Sequence, residues 1–423
     1  MISATTVFND LVGRVADRGR SLLGSAAPGN ISQMCETLLT GKGEATGLAL
    51  ARGIFDRYDA MTQAERHVFF IMLRDRFDVD RKVADAAFAK WQNDGDAALR
   101  GLHKATEPRS QELIRRLNRA PGGTRRLVAM RNDLLHLMDD DANLAPLDAD
   151  FRHLFGSWFN RGFLALQRID WHTPANILEK IIKYEAVHEI SGWDDLRRRV
   201  GAEDRRLYAF FHPALGDDPL IFVEVALTSD IPGNIGAILA ADRTMVSPAK
   251  AQTAVFYSIS NCQTGLRGIS FGNFLIKQVV EELGREWPNL TNFVTLSPVP
   301  GLRRWALAQK DTLPKALADV VTQAESGARP VALSDLTAHY MLVARSLRGG
   351  ATDPVARFHL GNGARLERIH RDADGSDNGQ KASWGVMVNY LYDLDTIERN
   401  HESYSTEDDI IASPPVRRLL KTR

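Results

Sequence analysis

Apolar positions in the first third of the chain recur every three or four residues, and nothing there alternates with period two for long. Thr62-Gln63-Ala64-Glu65 has the form of a capping box, in which hydroxyl and carboxylate satisfy amides at a helix start, and Val68, Phe69, Met72 and Leu73 follow at helical spacing. Gly122-Gly123-Thr124 opens another helix with Leu127, Met130, Leu134 and Leu137 on one face, and Asp139-Asp140-Asp141 begins the loop after it. The amphipathic start, residues 1–24, carries Asp10 and Asp17 and lacks the apolar run of a secretory signal, so it reads as the first helix. Residues 1–155 are expected to form an all-α bundle.

The pattern changes near Gly156-Ser157-Trp158. Residues 163–171, 206–212 and 220–227 are strand candidates, the last two a hairpin across Asp217-Asp218-Pro219. Thr173-Pro174 opens a helix through Ile177, Leu178, Ile181 and Ile182, and a second helix is predicted within 228–239. Residues 253–259 form a β-branched, aromatic run that reads as a buried strand. A loop with Gly265, Gly268 and Gly272 follows, and then Phe274, Leu275, Ile276, Val279, Val280 and Leu283 fall at helical spacing. Residues 292–297 read as a strand that Pro298, Pro300 and Gly301 stop. Further on come helices over 313–324 and 333–347, a strand over 354–360 carrying His359, an Asn362-Gly363 turn into a strand over 364–369, and a last strand through Tyr392. The polar tail beyond Asn400 is expected to drape over the surface. This order predicts an α+β protein, a helical bundle followed by a mixed α/β domain over 156–423.

Composition narrows the partners more than the fold. Lys and Arg number 53, as do Asp and Glu, so the formal net charge is zero and no nucleic-acid partner is indicated. Arginine clusters such as Arg197-Arg198-Arg199 are interleaved with acids and read as solvated helix faces. Cys35 and Cys262 lack metal spacing and are too few for a disulfide framework, which points to a reducing compartment, and Cys262 reads as a packed thiol near the glycines. No apolar run approaches the ~20 residues of a membrane span.

The chemistry concentrates between Thr253 and Trp305. A strand, glycine loop and helix in succession point amide groups and the positive end of a helix dipole at an anion, and phosphate is the natural guest. Ser297 stands at the end of the next strand. On the residues alone it reads as a turn cap before two prolines, His359 as a packed strand histidine and Tyr392 as core. His67, His103 and His136 are scattered on helical patterns and suggest no ligand set. Asp374 and Asp377 lack the regular ligands of a calcium loop and read as solvated.

Arg267-Gly268-x-x-x-Gly272 followed by Phe274-Leu275-Ile276 is similar to the pyrophosphate loop of the acetyltransferase-type fold that binds acyl-coenzyme A, with Ser270 where that loop often carries a glycine. Together with FHLGNGA (358–364) and MVNYLYDL (387–394), the stretch resembles the malonyl-CoA decarboxylase family, from about Trp158 onward. The resemblance implies an acetyltransferase-like (GNAT) catalytic domain over 156–423 and a helical domain over 1–155 that supports homo-oligomer assembly as a dimer or tetramer. It implies conversion of malonyl-CoA to acetyl-CoA and CO2. Ser297 would be the catalytic proton acceptor and His359 the proton donor. Arg267, Gly268, Ile269, Ser270, Phe271, Gly272 and Asn273 would bind the acyl-CoA, with Tyr392 near the substrate and Asn362 and Ser383 supporting. No cofactor is expected, because the thioester is itself the electron sink. Animal members carry an acidic residue at the Ser270 position and end in a peroxisomal tripeptide. Lys421-Thr422-Arg423 is not one, and a cytoplasmic location is expected. Two other readings stay open: an acyl-CoA-dependent N-acyltransferase, and a helical scaffold that only senses acyl-CoA.

Overall fold

The computed structural model describes residues 29–40, 43–269, 275–346 and 349–420. The helix expected over 1–24, the loop positions Ser270, Phe271, Gly272 and Asn273, and the C-terminal tripeptide lie outside the described residues. The chain divides into two compact units. One joins the described part of Met1–Ala165 to Phe211–Pro219 and the described start of Gln263–Phe271. The other holds Leu166–Phe210, Leu220–Cys262 and the described part of Gly272–Arg423.

The first unit is helical: α1 (Ile31–Leu39), α2 (Glu44–Asp59), α3 (Gln63–Arg76), α4 (Arg81–Asp94), α5 (Leu99–Ala105), α6 (Arg109–Leu117), α7 (Gly123–Leu137) and α8 (Ala145–Trp158). The capping box forms as expected. The Glu65 amide donates to Thr62 Oγ1 at 3.3 Å, and the Glu65 carboxylate accepts from the Thr62 amide at 2.8 Å. From that start α3 buries Phe69, Phe70 and Leu73, and Tyr58 of α2 meets the two phenylalanine rings edge-on at 5.4 and 5.9 Å. Leu127, Met130 and Leu134 of α7 and Phe151, Leu154 and Phe155 of α8 extend this core. Each such side chain stabilises by about 1.5–3 kcal/mol on burial, against roughly 1 kcal/mol for a cap, so packing dominates.

Two later stretches belong to this unit. Arg125 of α7 donates to the Leu215 carbonyl and pairs with Asp218 at 3.1 Å. Gly265 presses onto α7 so closely that a Cβ there would lie 2.0 Å from the Val128 carbonyl oxygen, an approach only glycine permits.

The second unit is built on an eight-stranded sheet: β1 (Ala165–Ile169), β2 (Arg205–Phe211), β3 (Pro219–Thr228), β4 (Thr253–Asn261), β5 (Asn292–Thr295), β6 (Ser297–Pro298), β7 (Arg365–His370) and β8 (Met387–Leu391), ordered β1-β2-β3-β4-β5-β8-β6 with β7 also on β8. Strands β2, β3 and β4 are buried along nearly their whole length, which is why their sequences are continuous apolar runs. β3 and β4 are antiparallel with a bulge at Glu224/Val225, whereas β4 and β5 are parallel from Thr253 opposite Asn292 to Phe256 opposite Thr295. After a last hydrogen bond from the Leu296 amide to the Phe256 carbonyl (3.0 Å), β4 continues to Asn261 without β5 beside it. The parallel pairing ends there. Among the described residues no helix is long and apolar enough to cross a membrane.

Helices α9 (Ala175–Tyr184), α10 (Trp193–Val200), α11 (Ile235–Leu239) and α12 (Leu275–Glu286) punctuate the sheet, and α12 buries the expected Leu275, Ile276, Val279, Val280 and Leu283. The helix predicted within 228–239 shrinks to α11, because Asn234 starts it by capping the Ala237 amide at 3.1 Å. Beyond β6 come α13 (Leu302–Gln309), α14 (Lys315–Glu325), α15 (Leu333–Leu342), α16 (Pro354–Gly361), α17 (Asp377–Ser383), α18 (Ile397–Glu407) and α19 (Pro414–Arg418).

Two expectations fail here. His359 sits on a helix, α16, not a strand. Asp353 caps it by accepting from the Val355 and Ala356 amides at 2.9 and 3.1 Å, Pro354 occupies its first turn, and Asn362-Gly363 ends it rather than turning a hairpin, with Gly363 left-handed at φ 81°. The tail beyond Asn400 does not drape either: Ile410, Ala412 and Val416 are buried, and the Leu366 amide of β7 donates to the Ile411 carbonyl at 2.9 Å.

Candidate active site

Ser297 is the first residue of β6, two residues beyond Thr295, so both hydroxyls fall on one side of the extended chain and Ser297 Oγ donates to Thr295 Oγ1 at 2.8 Å. His359, near the C-terminal end of α16, brings Nε2 to 3.2 Å from Ser297 Oγ. Its Nδ1 lies 2.7 Å from the phenol oxygen of Tyr392, the residue after β8, whose amide donates to the Phe293 carbonyl at 2.8 Å. Ser297, His359 and Tyr392, separated by up to 95 positions in sequence, therefore form one hydrogen-bonded line. The Tyr390 ring stacks on the imidazole at 4.5 Å and 24°, and its phenol oxygen is buried without a hydrogen-bond partner among the described residues.

The line is dry and carries no formal charge of its own. Ser297, His359 and Tyr392 are 5%, 3% and 1% exposed, and no carboxylate hydrogen-bonds to any of them among the described residues. Burial pulls the imidazole pKa down to about 3. The helix end favours a cation by at most about 1–2 kcal/mol, and desolvation outweighs it. The imidazole is thus neutral near pH 7, with one N–H to place. The Tyr392 phenol, itself kept protonated by burial, has only Nδ1 to donate to among the described residues, so the network assigns the imidazole proton to Nε2, facing Ser297.

Thr295 holds its place through two further contacts. Its Oγ1 accepts from the Tyr390 amide at 3.1 Å, and its carbonyl accepts from Asn389 Nδ2 at 2.7 Å. Neither Thr295, Tyr390 nor Asn389 is singled out by sequence reasoning, although Thr295 shares the parity of Ser297 and Tyr390 that of Tyr392. Asn362 and Ser383 do not join the line. Asn362 Nδ2 caps the Phe358 carbonyl at 2.6 Å, and Ser383 Oγ donates to the Val386 carbonyl at 2.8 Å.

The glycine loop is anchored from beneath. The Arg131 guanidinium, 1% exposed, donates to the carbonyls of Gly265 and Arg267 at 2.7 and 3.0 Å and pairs with Asp148 at 2.8 Å. Arg267 and Gly268 face solvent while Ile269 is buried. The Arg267 and Ile269 amides are spent inside the loop on the Thr264 and Leu266 carbonyls, at 2.9 and 3.0 Å.

Comparison with known proteins identifies the family. The family model for the malonyl-CoA decarboxylase C-terminal domain matches residues 162–423, and that for the N-terminal domain matches residues 77–159. The mitochondrial malonyl-CoA decarboxylases of Rattus norvegicus and Anser anser anser are each 36% identical, over 75% and 73% of this chain and 72% and 69% of their own. The crystal structure of malonyl-CoA decarboxylase from Rhodopseudomonas palustris superposes with a TM-score of 0.88 at 49% identity, covering 92% of this chain and 98% of that one. The structure from Agrobacterium vitis gives 0.86 at 51%, covering 92% and 99%. The chain belongs to the malonyl-CoA decarboxylase family.

Proposed function

We propose that the chain converts malonyl-CoA to acetyl-CoA and CO2 through Ser297, His359 and Tyr392. The observation that carries the reading is a buried imidazole with its Nε2 3.2 Å from the hydroxyl of Ser297. The bond between Cα and the carboxylate breaks, CO2 leaves, and the electron pair enters the thioester carbonyl as an enolate. A proton then moves from Nε2 of His359 to Cα, giving acetyl-CoA, and solvent restores the imidazole, so each turnover consumes one proton. The thioester accepts the electrons, and the chemistry needs no cofactor. With substrate bound, the Ser297 hydroxyl turns its proton from Thr295 to the malonyl carboxylate and so orients and polarises it; it is a poor base because no carboxylate activates it among the described residues. Tyr392 fixes the imidazole tautomer.

Arg267, Gly268, Ile269, Ser270, Phe271, Gly272 and Asn273 bind the phosphates and pantetheine of coenzyme A. Residues 1–155 form a helical domain that assembles copies of the chain, residues 156–423 form the catalytic domain, and the protein works in the cytoplasm. An N-acyltransferase would use a carboxylate or an ordered water as base, and among the described residues no carboxylate hydrogen-bonds to the line.

The purified protein should form acetyl-CoA and CO2 from malonyl-CoA with no amine present. His359→Ala should lower kcat by about 10²–10⁴-fold and leave coenzyme A affinity within a few fold, measured by steady-state kinetics and calorimetry. Ser297→Ala should likewise impair kcat more than binding. Wild-type kcat in the His359 variant would remove the imidazole from the mechanism.

A further inference from the structure

The exposed side of α8 and the glycine loop enclose an open cavity of about 330 Å³, lined by Ala149, Arg152, His153, Gly156, Gly268 and Ile269. No acidic side chain lines it. Arg152 is the cation beside the loop: a Cβ on Gly268 would lie 3.9 Å from its Nε and 4.0 Å from its Nη2. Phe151, Leu154 and Phe155 are buried around it, so the helix that carries Arg152 is firmly seated.

Arg152 also lacks the partner that its helix would normally give it. Asp148, four residues earlier on α8, is at the spacing for an intrahelical ion pair. That carboxylate is instead taken by buried Arg131 at 2.8 Å. Arg125, Arg126 and Arg131 of α7 are all paired with carboxylates, whereas Arg152 makes no ion pair among the described residues. With the Arg267 and Ile269 amides already committed, the Gly268 amide is left to an anion at this part of the loop, and side-chain charge adds to it.

We infer that Arg152 is a phosphate-binding residue, through which the helical unit grips coenzyme A and selects it over thioesters without phosphate. The inference rests on the reading of the glycine loop as the phosphate site. Two phosphate groups qualify, the diphosphate and the 3′-phosphate, and both present the same anionic oxygens to a guanidinium.

The test compares kcat/KM for malonyl-CoA, malonyl-dephospho-CoA and malonyl-pantetheine in the wild type, Arg152→Ala and Arg152→Lys. For an exposed contact, Arg152→Ala should lose roughly five- to tenfold with malonyl-CoA, mostly in KM, and Arg152→Lys should recover part of it. The loss should fade to within about twofold with malonyl-pantetheine. A loss kept with malonyl-dephospho-CoA assigns the diphosphate, and a loss that vanishes there assigns the 3′-phosphate; both support the inference. An unchanged kcat/KM for malonyl-CoA, or an equal loss with malonyl-pantetheine, overturns it. If the wild type itself does not prefer malonyl-CoA to malonyl-pantetheine, the phosphate site is gone and the role of Arg152 with it.

Discussion

The glycine loop and the Ser297–His359–Tyr392 line treat charge in opposite ways. The loop rests on a buried ion pair, Arg131 with Asp148, and presents guanidinium groups, Arg267 and Arg152, to solvent. The line contains hydroxyls and one neutral imidazole, almost wholly buried. On the function proposed above, each suits a different part of the substrate. Phosphates keep their charge throughout the reaction, so cations at a solvent edge bind substrate and transition state alike and contribute to affinity. The malonyl carboxylate loses its charge as CO2 forms. A dry site with neutral donors favours the transition state, where charge has spread into the thioester, over the localised carboxylate. Binding energy gathered at the phosphates can offset the cost of bringing that carboxylate in.

Breaking the loop at its base should have the largest effect. Arg131→Ala leaves Asp148 buried and unpaired and releases two loop carbonyls, so unfolding free energy should fall by about 3–5 kcal/mol. KM for malonyl-CoA should rise in whatever fraction folds. Thermal melting and kinetics with malonyl-CoA check both, and an unaltered melting temperature would deny the pair its anchoring role. Tyr392→Phe acts on the other region and should do the reverse. Without the phenol proton on Nδ1, the imidazole is free to take the wrong tautomer, and kcat should drop about ten- to a hundredfold with little change in KM. A kcat within twofold of wild type means that something other than Tyr392 sets the tautomer.

The contrast between the regions was only half visible in the sequence. The helices over 63–76, 123–137 and 275–286 follow from caps and periodicity, and β2, β3, β4 and β5 from apolar runs between turn signals. Position α16 was obscured because Asn-Gly after a short apolar stretch serves a hairpin turn and a helix stop equally well. Asp353-Pro354, a helix start, is the signal that separates the two. Ser297, His359 and Tyr392 are recognisable by resemblance, whereas their contact depends on where α16 packs against the sheet, which no local pattern announces. Thr295 is within reach of strand parity alone. Arg131 is not: an arginine on an amphipathic helix looks the same whether it faces water or a carbonyl 134 residues later. Arg152 is harder still, since its character comes from losing Asp148 to a neighbouring helix.

The smallest effect separates a neutral line from a charged one by acid stability. His359 has a folded pKa of about 3, depressed by burial, against about 6.5 when unfolded. Between those values the unfolded chain binds the extra proton, so stability rises with pH there and is lost as pH falls below 6.5. One unit below, at pH 5.5, this residue alone should cost about 1.4 kcal/mol. Burial also depresses His188, His212, His339 and His370, so the wild-type slope mixes several groups. Comparing wild type with His359→Gln cancels them. Denaturant unfolding at pH 7.5 and 5.5 should show the wild type losing about 1.4 kcal/mol more than the variant. Equal losses would mean that the native imidazole already holds its second proton at pH 5.5. The line would then be cationic, and the opposition between the two regions would collapse into two cationic sites.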